Sequence, residues 1–537
     1  MSKSSCSLPN PVSDLLGALL SRSYKFIVGE VGGSNSVAKK SLEKAVNEKK
    51  VEIKSFEDTD LDFLTFDWCS PDKDRNWWWQ MQALPFLDWF SRCHQLLDER
   101  ELEQYFDFCV AALLQWLKQE PNSDQSPLRW HDHATAYRLT HLTNWLIVVS
   151  ANEALVEKLL SVESTLNLPE VFSNHVAWLS EEENYSKHTN HGFDQAMAVF
   201  SLGLHAGRKL WQAESDLAEK RLIDEVKFAF TEEGVHKENS PGYHVFMMRR
   251  LEKLVRLEQL GETTVGIEAR IIQEDAERFL EAITLPDGTL PMVGDTRGGQ
   301  KGKMTEIEEG PVVYDFSKSG YVVIKGLYKE KPYYLLFKNC HDSNYHRHDD
   351  DLSIYLYYNG RTLLGDGGLG SHNENDPKRK QLRSYKSHNV PYVKSLAVRN
   401  REQLNRPPSV VVNEHGVTGM SAMFGQVIKR TVDWKNVHSG RIAVRDKVAN
   451  FKPDQVFGAG FITEYQFEKK GDNKSYDILG GGIVYATITP RIKVDAENHQ
   501  ALISKSYGDF ELVHSMSCES MGSDAISFAI NLGGATP

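Results

Sequence analysis

The sequence predicts an α+β chain of more than one domain, with helices first and an antiparallel β region after them. Three observations predict it. Between residues 101 and 261, five stretches carry apolar residues at three- and four-residue spacing, with short polar connections. Near "LPDGTLPMVGDTRGGQKGK" (285–303) proline and glycine cluster and that periodicity stops. Beyond it come short β-type runs bounded by glycine and polar turns. Helices in one half and strands in the other mean segregated layers rather than a βαβ sheet.

The length of 537 residues exceeds what one hydrophobic core normally serves, so domains of 1–300 and 301–537 are expected. The predicted helices are 101–119, 134–152, 193–207, 214–230 and 245–261, the last ending on Gly261 as a C-cap. Their number and short connections suggest stacked helical hairpins. No repeat of fixed period is evident. The predicted strands are 320–326, 332–339, 352–360, 409–413, 441–446 and 481–489.

At 40% hydrophobic and 25% charged residues the chain is globular in composition, and its net charge of −12 argues against a general nucleic-acid binder. A local basic cleft for an anionic substrate remains compatible with that charge. The six cysteines, Cys6, Cys69, Cys93, Cys109, Cys340 and Cys518, are scattered and form no CxxC pair, so buried free thiols are expected. No run approaches the ~20 apolar residues of a membrane span. The N-terminal "MSKSSCSLPNPVSDLLGALLS" has prolines at 9 and 11 and an acid at 14 that interrupt any signal-peptide core, so a cytoplasmic location is expected.

Four groups of polar residues are candidates for chemistry. "HRHDDDLS" (346–353) places His346, His348 and Asp350 at the predicted entry of a strand, two apart and facing one way. His348 with Asp366 in "LLGDGG" and His388 in "SYKSHNVPY" forms a donor set suited to zinc or a similar cation. From spacing alone, simple pairing or exposure of these groups is the plainer reading. "NYSKHTNHGFDQAM" (184–197) puts Asn190 and His191 at a helix start with Asp194 one turn on. Capping by Thr189 or Asn190 accounts for the Asn but not for the His. In "EEGVHKENSPGYHVFMMRRL" (232–251), Tyr243 and His244 follow a turn and open a helix, where packing is the plainer reading. "RWHDHATAYRLTHLTNW" (129–145) gathers His131, His133 and Arg138 at another helix front, where surface groups are common.

Taken in order, "NHGFDQ", "ENSPGYH", "GDTRGG", "HRHDDDLS", "LLGDGG" and "SHNVP", with the aromatic "NWWWQMQALPFLDWF" before them, resemble the heparinase II/III group of polysaccharide lyases. The motifs span roughly residues 75–390. The resemblance implies an N-terminal (α/α) toroid, an incomplete barrel of helical hairpins, followed by a C-terminal antiparallel β-sandwich. It implies β-elimination at a uronic acid. By motif position Asn190 and His191 match residues that neutralise the substrate carboxylate. Tyr243 matches the acid/base tyrosine and His346 the catalytic histidine. His348, Asp366 and His388 match a structural metal site, with one divalent ion, zinc by preference. His131, His133, Arg138, Asp194, His244 and Arg347 are expected to contact the substrate. Arg347 and Asp349 stand where the family usually has glycine and a small residue, which would change the charge beside the cleft.

This chemistry needs these residue types. A C5 proton beside a carboxylate becomes removable once donors neutralise that carboxylate. A base then takes the proton and an acid protonates the leaving O4. Tyrosine, with an ordinary pKa of about 10, needs nearby positive charge to act as base. Syn elimination would use Tyr243 for both steps, and anti elimination would use a histidine as base. A glucuronate-containing glycosaminoglycan-like chain (heparosan or heparan sulfate, hyaluronan or chondroitin) is the expected substrate, with alginate or a capsular polysaccharide as alternative. The rival readings are a hydrolase drawing on Asp194, Glu238 and Asp295, and a non-catalytic carbohydrate-binding protein.

Overall fold

The computed structural model describes residues 35–53, 56–69, 73–118, 128–206, 210–261, 263–340, 343–394, 396–398, 409–472 and 474–533. The N-terminal segment read for a signal, with Cys6, lies outside them. The chain forms two compact units, one of Met1–Phe228 with Lys253–Arg270, the other of Ala229–Glu252 with Ile271–Pro537.

The first unit is helical. Its helices are α1 (Asn35–Glu43), α2 (Arg75–Gln82), α3 (Pro85–Cys93), α4 (Glu99–Leu117), α5 (Asp132–Ser150), α6 (Glu153–Leu166), α7 (Leu168–Ser180), α8 (Asn190–His205) and α9 (Gln212–Ala229). Helices α10 (Pro241–Leu257) and α11 (Thr264–Ile283) follow. Local sequence explains their ends. Asp98 accepts from the Glu101 amide at 2.8 Å while the Glu101 carboxylate accepts from the Asp98 amide, a complete capping box for α4. Pro85 opens α3, where its missing N–H costs nothing. Helix α5 packs on α3 and α8, and Trp77, Trp78, Trp116 and Trp145 fill the interior. Among the described residues no helix is long and apolar enough to cross a membrane.

The second unit holds three antiparallel sheets. Strands β1 (Val312–Phe316), β2 (Tyr321–Tyr328), β3 (Lys331–Lys338), β4 (Ser353–Tyr358) and β5 (Arg361–Leu364) form a five-stranded meander in chain order. After α12 (Pro377–Arg383) come β6 (Pro391–Val393), β7 (Ser409–Asn413), β8 (Gly416–Ser421), β9 (Ile428–Asp433), β10 (Arg441–Val448), β11 (Val456–Thr463), β12 (Gln466–Lys469), β13 (Tyr476–Gly480), β14 (Ile483–Pro490), β15 (Asp495–Ile503), β16 (Glu511–Met521) and β17 (Ala525–Leu532). They build an eight-stranded sheet, β12-β13-β14-β17-β10-β9-β8-β7, and a four-stranded one, β15-β16-β11-β6. The meander is buried on both faces. Val322 and Ile324 point into one core with Phe457, Phe461 and Phe528 of the other sheets. Tyr321 and Val323 point into another with Phe279, Ile283 and Leu285. Double burial is why β2 reads as a continuous apolar run rather than an alternation. The helical part and the sheet-rich sandwich agree with the fold expected from the motifs.

One expected placement differs. The strand predicted at 352–360 forms at Ser353–Tyr358, but His346, His348 and Asp350, expected at its entry and facing one way, lie on the loop before it. His346 has a left-handed φ of +53°, which breaks the two-residue alternation of a strand. Three consecutive acids, Asp349 to Asp351, favour turn over ladder in the same place.

Candidate active site

In the helical unit, the sequence WHDH at the front of α5 and NH at the front of α8 build one polar cluster. Thr189 caps α8 by accepting from the Gly192 amide, so the Asn190 side chain is not spent on the helix end. Gly192 is required because a Cβ there would lie 2.3 Å from the Ser186 carbonyl oxygen. His191 donates from Nδ1 to Asp132 at 3.0 Å. Burial opposes ionisation of Asp132, yet the hydrogen bonds from His191 and Ser186 outweigh it and hold its carboxyl below the usual range. The His133 ring stacks on His191 with centroids 4.1 Å apart and on Trp79 at 5.0 Å, while its Nε2 meets Asp194 at 2.9 Å. His131 completes the group, its ring 5.9 Å from His191.

Arg138 lies elsewhere. It is fully buried, donating to His175 at 2.7 Å and to the Gln82 and Arg129 carbonyls at 2.6 and 2.8 Å. Its guanidinium sits 4.6 Å over the Trp116 ring. It braces the helices and does not face solvent.

In the second unit the motifs around residues 239, 295 and 346 interlock. Asn239 donates to the Ser343 and Tyr345 carbonyls at 2.8 and 2.9 Å, holding the loop that carries His346. Thr296 accepts from the Gly242 amide at 3.0 Å. Gly294, at φ +54°, passes so close to Asn239 that a Cβ would meet its carbonyl oxygen at 2.5 Å. The result is that Tyr243, in the first turn of α10, stacks on His346 with centroids 3.7 Å apart. His346 Nδ1 donates to Asp295 Oδ2 at 2.7 Å, and Nε2 lies 3.4 Å from Glu238. Burial, reinforced by the charges of Asp295 and Glu238, pushes the Tyr243 hydroxyl well above its usual range. Tyr243 carries its proton.

His348, buried like Asp295, donates from Nε2 to Asp295 Oδ1 at 2.8 Å. With Asp366 and His388 it offers three ligand atoms within 4.8 Å of one another. His388 Nδ1 meets Asp366 Oδ2 at 2.9 Å, while His388 Nε2 and Asp366 Oδ1 are buried with no hydrogen-bond partner. Orphaned buried polar atoms on two imidazole-and-carboxylate donors fit a divalent cation. Asn389 pins this corner by donating to the Ile354 and Gly365 carbonyls and accepting from the Ile462 amide. A cavity of about 300 Å³ reaches Asp366, lined also by Thr289, Tyr355, Glu464 and Lys505.

Two further expected contacts are buried instead. His244 donates to the Ala276 carbonyl at 2.9 Å, and burial pushes it down to about 4. Arg347 turns inward onto Asp351 at 2.8 Å, so its charge is neutralised inside the unit rather than added beside a cleft. Asp350 likewise pairs with buried Lys338. Three residues at the centre of these networks had no role in the sequence reading: Asp132, Arg379 and, beyond its listing as hydrolase material, Asp295. Asp132 sits between two named histidines, which was signal enough. Arg379 is one of four cations in "KRKQLR" and nothing local marks it.

Comparison with known proteins agrees with this architecture. Residues 33–316 match the family model described as heparinase II/III N-terminus, and residues 309–449 match heparinase II/III-like, C-terminal. No curated protein sequence matches the chain. Among solved structures, a heparan sulfate lyase HepC mutant from Pedobacter heparinus aligns at 14% identity over 97% of this chain and 88% of that one, with a TM-score of 0.76. A heparinase III described as the BT4657 gene product aligns at 14% identity over 96% and 88%, with a TM-score of 0.72. A Paenibacillus xanthan lyase aligns at 7% identity over 98% and 60%, with a TM-score of 0.56. The matched models cover most of the chain and contain the interlocked motifs, and the chain belongs to the heparinase II/III family.

Proposed function

We propose that this protein is a polysaccharide lyase that cleaves a uronate-containing chain by β-elimination, with glucuronate-bearing glycosaminoglycan-like polysaccharides as its substrate class. The observation that carries the reading is the stacked Tyr243–His346 pair, with His346 oriented by Asp295. By their place in the family motifs, Asn190 and His191 recognise the substrate carboxylate. Asn190 donates through its amide and His191 through an N–H, drawing charge onto the uronate carboxylate as the C5 proton leaves. Tyr243 and His346 carry the proton transfer. In a glucuronate the C5 hydrogen and O4 lie on the same face, so His346 and Tyr243, stacked side by side, divide a syn elimination: His346 takes the C5 proton, and Tyr243, whose environment keeps it protonated, gives its proton to O4. The C4–O4 bond breaks and a C4–C5 double bond forms. His348, Asp366 and His388 would hold one divalent ion, zinc by donor chemistry, which supplies a fixed positive centre that anchors the loop carrying His346.

A carboxylate-pair hydrolase has less support, because Asp295 accepts from two histidines and an arginine and Asp194 is engaged by His133. The deciding experiment is a panel of uronate polysaccharides, including heparosan, heparan sulfate, hyaluronan, chondroitin and alginate, with ultraviolet absorbance and product mass as readouts. A lyase releases an unsaturated product that absorbs. Hydrolysis adds water and gives no such absorbance, and that outcome would refute the proposal.

A further inference from the structure

One carboxylate stands between the two histidines of "HRH". The Asp295 side chain is fully buried, and its two oxygens are divided. Oδ2 accepts from His346 Nδ1 at 2.7 Å and from Arg379 Nη2 at 2.8 Å. Oδ1 accepts from His348 Nε2 at 2.8 Å and from Arg379 Nη1 at 2.5 Å. Arg379 is itself buried, and its Nη1 also donates to the Leu369 carbonyl at 2.7 Å. A two-pronged guanidinium fixes the plane of a carboxylate as a single donor cannot.

We infer that Asp295 is a positioning residue shared by the two histidines, orienting His346 for proton transfer and His348 for cation binding, with Arg379 locking the carboxylate. This rests on the lyase reading for His346, and not for His348. The physical reason is that an ionised carboxylate only accepts. Each ring nitrogen facing it must therefore carry hydrogen. His346 is held with its proton on Nδ1, and Nε2, 3.4 Å from a Glu238 carboxyl that burial pushes up, is the nitrogen left to take a proton. His348 is held with its proton on Nε2, so Nδ1 is the nitrogen with electrons to give a cation. Two histidines two residues apart are thus set in opposite tautomers by one acid. A carboxylate that orients an imidazole in this way is worth up to about 10⁴-fold in serine proteases. Outer partners of metal ligands are typically worth 10–100-fold in affinity.

Asp295→Asn is the test, on the full-length enzyme. The amide keeps the size but presents an N–H donor on one side, against a ring nitrogen that also donates. Steady-state kinetics should show kcat down by at least about 100-fold with KM within about threefold. Zinc titration against a chelating competitor should show affinity weakened by about 10-fold or more. A kcat within about threefold of wild type, a loss carried by KM alone, or an unchanged zinc affinity would each overturn the inference. If Asp295→Asn does not fold, Arg379→Lys decides the same way, since it keeps the charge and loses the two-pronged grip. The two readings fail separately. Wild-type enzyme that forms no unsaturated product sinks the lyase reading and leaves the zinc arm standing. An active wild type with an equally active Asp295→Asn sinks only the shared carboxylate.

Discussion

Replacing Tyr243 by Phe removes one hydroxyl and nothing else. The Phe ring keeps its stack on His346 at 3.7 Å and its edge contact with Phe246. The stability cost is therefore that of a half-buried hydroxyl, about 1 kcal/mol or less. The catalytic cost is far larger. Burial with Asp295 and Glu238 nearby keeps the wild-type hydroxyl protonated, so it has a proton to give O4 and Phe has none. General acids contribute 10²–10⁴-fold, and at 1.36 kcal/mol per decade that is ~2.7–5.4 kcal/mol of barrier. The expected variant melts within a few degrees of wild type, binds substrate with an unchanged KM, and loses kcat by about 10²-fold or more. The assay is initial velocity from ultraviolet absorbance of the unsaturated product, beside a thermal melt. More than about a tenth of wild-type kcat in the Phe variant would refute the role, because it falls below what acid catalysis supplies.

The two histidines of the loop should separate under mutation. His346→Ala is expected to lose activity while keeping metal and near-native melting, and His348→Ala to lose metal, melting temperature and activity together; identical behaviour of the two would undo the division. Metal-replete wild type should carry about one equivalent of divalent ion by elemental analysis and His388→Ala markedly less, with chelation lowering thermal stability at least as much as activity. Asp349, pushed up from 3.8 to about 6 mainly by burial, carries a pH signature. Its folded form prefers the proton, so its ionisation opposes folding above about pH 6 and ceases to matter below about pH 4. Asp349→Asn in metal-free protein should therefore raise stability at neutral pH, by at most ~3 kcal/mol, with the gain vanishing in acid; a gain that grows in acid would contradict the assigned environment.

Much of the fold was legible because its signals are local. The helical periodicity of 101–117 and 132–150 is long and capped, and the glycine-rich passage at 285–303 marks where it stops. The strand at 352–360 was legible from its apolar run, but the placing of His346, His348 and Asp350 at its entry failed because the left-handed residue at 346 breaks the strand alternation there. At the site, residues named for chemistry were found through motif order. Of those missed, Asp132 had a local signal, and the other two act at long range. Asp295 and Arg379 are 84 positions apart and meet as a buried ion pair, a relation that no window of sequence contains. Arg138 and Arg347 were misjudged for a related reason. A charged side chain reads as exposed until its partners, here His175 with two carbonyls and Asp351, are brought to it by folding.

The backbone at His346 has a consequence for trapping bound substrate. A left-handed φ costs an ordinary L-residue about 1–2 kcal/mol and costs glycine almost nothing. Alanine substitution deletes the imidazole but keeps that penalty. His346→Gly deletes both, so the usual ranking of the two residues should invert, with the glycine variant the more stable by about 1 kcal/mol. An inactive enzyme made this way would outlast the alanine one at the temperatures and incubation times that a slow polysaccharide needs to thread into place.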